Sequence, residues 1–217
     1  MSDRERRTDL SRNEAKPDPA GEDAAHPLSG ARSGTPWRTV SARVISFVSR
    51  KGGVGKTTSA VNLGAAFALS GHSVLLVGMD PQCGVSHSFG HGKYDLDSGL
   101  LDVFHSQLPL NHLAYPTAVE NLHFVTPNVW TLEEEEEYRR CLTEETDTFL
   151  RAMDRARNLY DTILLDCPPG FGPEVRAALL ASDSYLVPVQ AEQLCRESLG
   201  RLFAFIQAFR DQAYAES

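Results

Sequence analysis

Ser49-Arg50-Lys51-Gly52-Gly53-Val54-Gly55-Lys56-Thr57-Thr58 is a glycine-rich segment set between two patterned stretches. Before it, Val44-Ile45-Ser46-Phe47-Val48 is a short, β-branched, apolar run of strand length. After it, Thr57 to Ser70 carries Ala, Val and Leu at helical spacing, and Gly71 stands where a helix end favours a left-handed residue. A turn of this kind suits a phosphate chain. Glycines let backbone N–H groups turn inward and approach closely, and the following helix adds its positive dipole end. Lys56 is placed to supply a point charge to the β- and γ-phosphates, and the Thr57 hydroxyl to reach Mg²⁺. The simplest spacing of such loops wants glycine at position 50. This chain has Arg50 there, and Lys51 is an added cation.

Outward from that segment, Val74-Leu75-Leu76-Val77 reads as a second buried strand that ends at Met79-Asp80-Pro81. A polar loop from Cys83 to about Ser98 follows, and Leu122-His123-Phe124-Val125-Thr126 reads as a third strand. Thr131-Leu132-Glu133-Glu134 has the form of a capping box, opening a helix, broken or whole, to about Asn158. The run Glu133 to Glu137 reads as a solvated helix start rather than a metal site. Thr162-Ile163-Leu164-Leu165-Asp166 is a strand, Glu174 to Ala181 a short helix and Tyr185-Leu186-Val187-Pro188-Val189 a strand. The last helix sets Leu199, Leu202, Phe203 and Ile206 on one face. Uniformly apolar strands alternating with helices predict an α/β fold: a predominantly parallel sheet with helices on both faces. Ligands in such sheets bind at the carboxyl ends of the strands, here just after Val48, Val77 and Leu165.

Two further motifs fall at those ends. Asp80-Pro81-Gln82 follows the second strand, where an aspartate could hold a water or the metal shell; an Asx turn before proline is the plainer reading. Asp166, after four apolar residues and before Cys167-Pro168-Pro169, has the form of a carboxylate bonded to Mg²⁺ through water.

Composition sets the outer limits. The chain has 217 residues, 41% apolar, with 21 basic and 29 acidic side chains and a net charge of −8. That excludes fibrous and wholly disordered classes and a globally basic nucleic-acid binder. No apolar run approaches the ~18 residues of a membrane span, and no secretory signal is legible. Cys83, Cys141, Cys167 and Cys195 are too far apart in sequence for a zinc ribbon, and reduced thiols are expected. The seven histidines read as surface or loop residues. Residues 1–41 mix both charge signs with Pro, Gly, Ser and Ala. They are expected to be a disordered tail, a solvating leader or a partner-binding segment, before a domain spanning 42–217.

Taken together, Lys51-Gly52-Gly53-Val54-Gly55-Lys56-Thr57-Thr58 resembles the deviant Walker A of the ParA/MinD family of partitioning and positioning ATPases. Asp80-Pro81-Gln82 is similar to the family's Walker A′ segment and Leu165-Asp166-Cys167-Pro168-Pro169 to its Walker B. Ala177 to Asp183 and Val187-Pro188-Val189-Gln190 also resemble the family, nearest its ParA branch. The resemblance covers roughly Val44 to Phe209 and implies a P-loop ATPase that dimerises on ATP, hydrolyses it slowly, and serves as a switch for positioning DNA or another cargo. Lys51 to Thr58 would bind nucleotide, with Lys51 reaching the partner's ATP. Lys51, Lys56 and Asp80 would be catalytic, and Thr57, Asp80 and Asp166 would form the Mg²⁺ shell. The implied cofactors are ATP and Mg²⁺. The implied partners are a second copy and a ParB-like or adaptor activator, in the cytoplasm, with nucleoid association and nonspecific DNA binding left open.

The chain departs from the family pattern at three places. Gly78 stands where ParA-type members usually place aspartate, Cys83 where they usually have glycine, and the domain reads as C-terminally short. Alternatives are a nucleotide-binding module without efficient hydrolysis and a relative of the nitrogenase iron proteins, although Cys141 and Cys167 match a cluster pattern poorly. No guanine-reading Asn/Thr-Lys-x-Asp motif is found. Arg196, Arg201 and Arg210 on the last helix are candidate DNA contacts.

Overall fold

β1 (Arg43–Phe47), β2 (Val74–Gly78) and β5 (Thr162–Asp166) form the centre of a six-stranded sheet in the computed structural model, which describes residues 41–92, 94–190 and 195–215. The expected tail lies outside the described residues. With β3 (Tyr115–Pro116), β4 (Leu122–Val125) and β6 (Ser184–Leu186), the strand order is β3-β4-β2-β5-β1-β6. All pairs are parallel except β3–β4. Phe47 of β1 and Gly78 of β2 both stand opposite Asp166 of β5, so three adjacent strands end at one level. That register gathers the turns after them into one place.

Burial explains the parallel arrangement. Leu75, Val77, Ile163 and Leu165 are as fully buried as their neighbours Val74, Leu76 and Leu164, so both faces of the sheet are covered. On one face lies α1 (Lys56–Leu69), whose inward stripe is Lys56, Ala60, Gly64 and Ala68. A Cβ at Gly64 would meet Leu122 Cδ1 at 3.3 Å, so glycine lets this helix sit close on the strands. α2 (Gly84–Ser88) packs beside it against β2. α3 (Leu101–Ser106) leads through a 3₁₀ turn to β3. α4 (Leu132–Glu144) and α5 (Thr146–Ala156) both pack on α6 (Pro173–Ala181), which touches β1. α7 (Cys195–Ala215) closes the described chain.

The local signals hold at most positions. Gly71 is left-handed at φ 89°. The capping box is present: Glu134 N–H donates to Thr131 Oγ1 at 3.1 Å and Thr131 N–H to Glu134 Oε2 at 3.2 Å. The long acidic helix breaks at Glu145, where φ is −121°. Other expectations are corrected. The loop after Cys83 contains α2. The strand expected over Tyr185–Val189 ends at Leu186, two residues before Pro188, whose ring nitrogen cannot donate to a ladder. On α7, Leu202 and Ile206 are buried but Phe203 is 49% exposed, so the apolar face is narrower than its spacing suggested. His123 is a buried strand residue and His105 lies on α3 with Nε2 2.9 Å from Glu137 Oε1, so neither is a simple loop histidine.

Candidate nucleotide site

The turn joining β1 to α1 is open around its glycines. Gly53 and Gly55 are left-handed, at φ 72° and 90°, and a Cβ at Gly52, Gly53 or Gly55 would meet nothing within 4 Å. α1 begins with Gly55 as N-cap, with no side-chain cap and no acid in its first turn. Its first N–H groups are therefore available to an anion. Gly52, Gly53, Gly55, Lys56, Thr57 and Thr58 line one wall of a cleft of about 580 Å³. Asp80, Pro81, Gln82, Pro168, Pro169, Glu135 and Arg139 line the rest.

Lys56 enters from the first turn of α1 and is nearly fully buried. Burial lowers its pKa, while Asp166, Asp80 and Cys167 act in the opposite direction. Its Nζ lies 3.5 Å from the Lys51 carbonyl, so much of its donor capacity faces the cleft. Thr57 Oγ1 donates to Asp166 Oδ2 at 2.6 Å. Asp166 sits at the end of β5, 1% exposed. Desolvation raises its pKa to about 6, against the Thr57 hydrogen bond and the Lys56 charge. Its other oxygen, Oδ1, is buried without a hydrogen-bond partner among the described residues. A buried carboxylate oxygen with no donor is an unmet requirement for a cation or a metal-bound water. Together with the adjacent hydroxyl it fits Mg²⁺, which takes oxygen ligands and is commonly held by one or two side chains plus substrate phosphates.

Asp80 lies two residues beyond β2, half-buried, and lines the cleft. It also makes the Asx turn: Gln82 N–H donates to Oδ1 at 2.9 Å. Lys51, Val54 and Asp166 do not line the cleft; Asp166 joins it through its hydrogen bond with Thr57, which does. Lys51 is exposed, and its Nζ donates to Gln190 Oε1 at 3.1 Å while Gln190 Nε2 donates to the Gly53 carbonyl at 3.2 Å. The structure thus brings Lys56, Thr57, Asp80 and Asp166 together with the glycines, and holds Lys51 at the rim. Arg201 is exposed on α7; the side chains of Arg196 and Arg210 lie outside the described residues. Among the described residues no group of three or more His, Cys, Asp or Glu side chains could hold a metal ion alone. Cys141 and Cys167, which a cluster-binding reading would use, are separately buried thiols whose pKa is pushed up by burial.

Glu135 and Arg139 are missing from the motif reading, and Gln190 entered it only within a family-like stretch, with no role. The run Glu133–Glu137 is not merely a solvated face. Glu134 caps its helix, Glu137 meets His105 and Glu135 lines the cleft, paired with Arg139 at 2.7 Å. The i,i+4 spacing of Glu135 and Arg139 is visible in sequence, but their place over the phosphate loop comes only from the packing of α4 on α6.

Of the departures, Gly78 has a local cause, whereas nothing in the structure explains cysteine at position 83. Cys83 is left-handed at φ 52°, a conformation that favours glycine. At Gly78, a Cβ would lie 3.1 Å from Val85 Cγ2 and 3.2 Å from Val85 Cβ, so α2 occupies the space a side chain would need. An aspartate there would also stand opposite Asp166. Gly78→Asp is therefore expected to lower stability by about 3 kcal/mol or more, through overpacking and a second buried carboxylate. Denaturant midpoints check this, with Val85→Ala in the same chain recovering part of the loss.

A family model described as an AAA domain matches residues 42–216. The sporulation initiation inhibitor protein Soj of Bacillus subtilis is 36% identical over 160 residues, covering 74% of this chain and 63% of Soj. The chromosome partitioning protein ParA of Myxococcus xanthus is 36% identical over 171 residues, covering 76% of this chain and 58% of ParA. The chain thus spans about three-fifths of the length of these relatives. Among solved structures, the septum site-determining protein MinD of Pyrococcus horikoshii, complexed with Mg-ADP, superposes with a TM-score of 0.64 at 27% identity, covering 77% of this chain and 66% of that one. Cobyrinic acid a,c-diamide synthase of Mycobacterium smegmatis, with bound ATP analogue and magnesium, gives 0.69 at 26% identity, covering 78% and 69%.

Proposed function

The chain belongs to the ParA/MinD family of P-loop ATPases, and on that premise we propose that it binds Mg-ATP, hydrolyses it slowly and uses the nucleotide to control association with a second copy. The observation that carries this reading is the convergence at one cleft of the uncapped α1 N-terminus, buried Lys56 and the Thr57–Asp166 pair with its orphaned oxygen. The name of the chromosome partitioning relative supports a role in partitioning a chromosome; another cargo, a cytoplasmic location and a ParB-like activator belong to the reading through the family resemblance. No described helix is long and apolar enough to cross a membrane.

In this reading the N–H groups of the glycine loop and of the first turn of α1 hold the β- and γ-phosphate oxygens. Lys56 sits among them as a desolvated cation, where a charge is worth more than in water. Thr57 and Asp166 are the residues that would hold Mg²⁺, which when bound would supply charge neutralisation for phosphoryl transfer. Asp80, at the opposite wall, orients the attacking water toward the γ-phosphorus. Lys51, tethered at the rim by Gln190, releases that amide to reach the nucleotide of the facing copy. A cation supplied in trans makes association depend on the γ-phosphate, and hydrolysis removes that requirement.

The test is a titration with ATP and GTP, with and without Mg²⁺, read as thermal stabilisation. A ligand at 100 times its Kd stabilises by about 2.7 kcal/mol. We expect a Mg²⁺-dependent response to ATP, and no response would overturn the reading. In light scattering, a non-hydrolysable ATP analogue is expected to double the mass of the wild type and leave Lys51→Ala monomeric; a doubled mass for both removes the trans role of Lys51.

A further inference from the structure

Across the cleft from the phosphate loop stands a cation that the three motifs do not contain. Arg139 projects from α4 into the same lining as Gly53, Lys56, Thr57, Asp80 and Gln82. Its Nε donates to Glu174 Oε1 at 2.8 Å, and its Nη2 lies 2.7 Å from Glu135 Oε1. Glu174 is 2% exposed, in the first turn of α6, where the helix dipole also favours a carboxylate. Glu135 is a turn back on α4 and itself lines the cleft. The Arg139 side chain is 45% exposed, so it is not sealed off by its two carboxylates.

The two carboxylates have different consequences. Removing Arg139 from Glu174 would leave a buried charge unpaired, so Glu174 anchors one edge of the guanidinium. That anchoring sets the plane and limits the rotamers of an otherwise flexible side chain. Glu135, closer to solvent, competes for the remaining edge. An anchored guanidinium with donors facing a cleft is the arrangement that recognises phosphate oxygens in a fixed geometry. Its neighbours place it along the cleft: Asp80 and Gln82 follow β2, and Pro168 and Pro169 follow Asp166, so Arg139 stands with the loops that flank the far end of a phosphate chain held by Lys56.

We propose that Arg139 is a γ-phosphate-sensing residue supplied from within the same subunit, oriented by Glu174 and restrained by Glu135. It distinguishes a nucleoside triphosphate from a diphosphate before any second copy arrives. The inference rests on the Mg-ATP reading of the cleft.

Calorimetric titration with Mg-ATPγS and with Mg-ADP tests it. Arg139→Gln is expected to weaken ATPγS binding about tenfold, the loss of one charge-assisted contact, with ADP affinity changed less than about twofold. Glu135→Gln is expected to tighten ATPγS several-fold by freeing the outer edge of the guanidinium. Arg139→Gln also strips Glu174 of its partner, so a lowered melting temperature is expected. Adding Glu174→Gln should restore that temperature without restoring ATPγS affinity. Equal effects of Arg139→Gln on both nucleotides, or recovery of ATPγS affinity with Glu174→Gln, would show that Arg139 only ties α4 to α6. Wild-type protein that binds neither nucleotide overturns the reading of the cleft, and this inference with it.

Discussion

Lys56→Ala is expected to leave a folded protein whose response to nucleotide is strongly weakened. Lys56 is buried in the first turn of α1, and desolvation lowers its pKa, so the nucleotide-free fold holds this charge at a cost. Below the lowered folded pKa that cost is fully present, and removing the ammonium there is expected to leave the melting temperature unchanged or higher. The effect on ligand runs the other way. A charge-assisted contact to phosphate contributes about 1.5–3 kcal/mol, so ATP affinity is expected to fall roughly tenfold to a hundredfold. The charge that develops on the γ-phosphoryl oxygens loses a preorganised donor, so single-turnover hydrolysis is expected to fall a further roughly 10²–10³-fold. Thermal shift and single-turnover assays on one preparation separate these effects. A variant that melts far below the wild type without ligand would make Lys56 a packing residue. One that retains hydrolysis would move the chemistry elsewhere.

The sequence carried the parts of this site that local chemistry constrains. A glycine-rich turn, a lysine at the start of a helix and an aspartate closing a run of four apolar residues each follow from what one short segment must do. Because parallel strands end together, the β2, β5 and β1 motifs were bound to meet once the sheet was read as parallel. Other features needed tertiary information. Arg139 borders the face of α4 that Tyr138, Cys141 and Leu142 bury, a choice among helix faces that a strongly acidic segment does not announce. Glu174 is buried by the approach of α4, and a Glu after proline at a helix start reads equally well as a solvated cap. Gly78 showed in sequence only as a departure from a family pattern; its cause, Val85 pressed against it, lies seven residues away on a helix hidden in a polar loop. The lost final residues of the expected last strand and the exposed Phe203 are the reverse error, apolar patterning taken for burial where the sheet edge offers little to pack against.

Asp166→Asn is expected to make the nucleotide-free fold more stable and the enzyme nearly inactive. Burial raises the Asp166 pKa to about 6 from an ordinary value of 3.8, with the Thr57 hydroxyl and Lys56 only partly compensating. Between those values the folded chain keeps a proton that the unfolded chain has released, so stability falls as pH rises through the window. Above pH 6 the whole cost of the ionised carboxylate is present, about 3 kcal/mol. Asparagine keeps an oxygen to accept the Thr57 hydrogen bond and carries no charge. At pH 7 the variant should therefore gain up to about 3 kcal/mol over the wild type, at pH 4 almost nothing, and its stability should be flatter across that interval. Nucleotide plus Mg²⁺ should stabilise the wild type and barely affect the variant, and single-turnover hydrolysis should fall roughly 10²–10³-fold. Urea titrations at pH 4, 5.5 and 7, with and without Mg-ATP, read both sides of this exchange. A variant less stable than the wild type at pH 7 would mean that the fold itself satisfies the charge at Asp166. The orphaned Oδ1 would then lose its meaning as the place reserved for a metal ion.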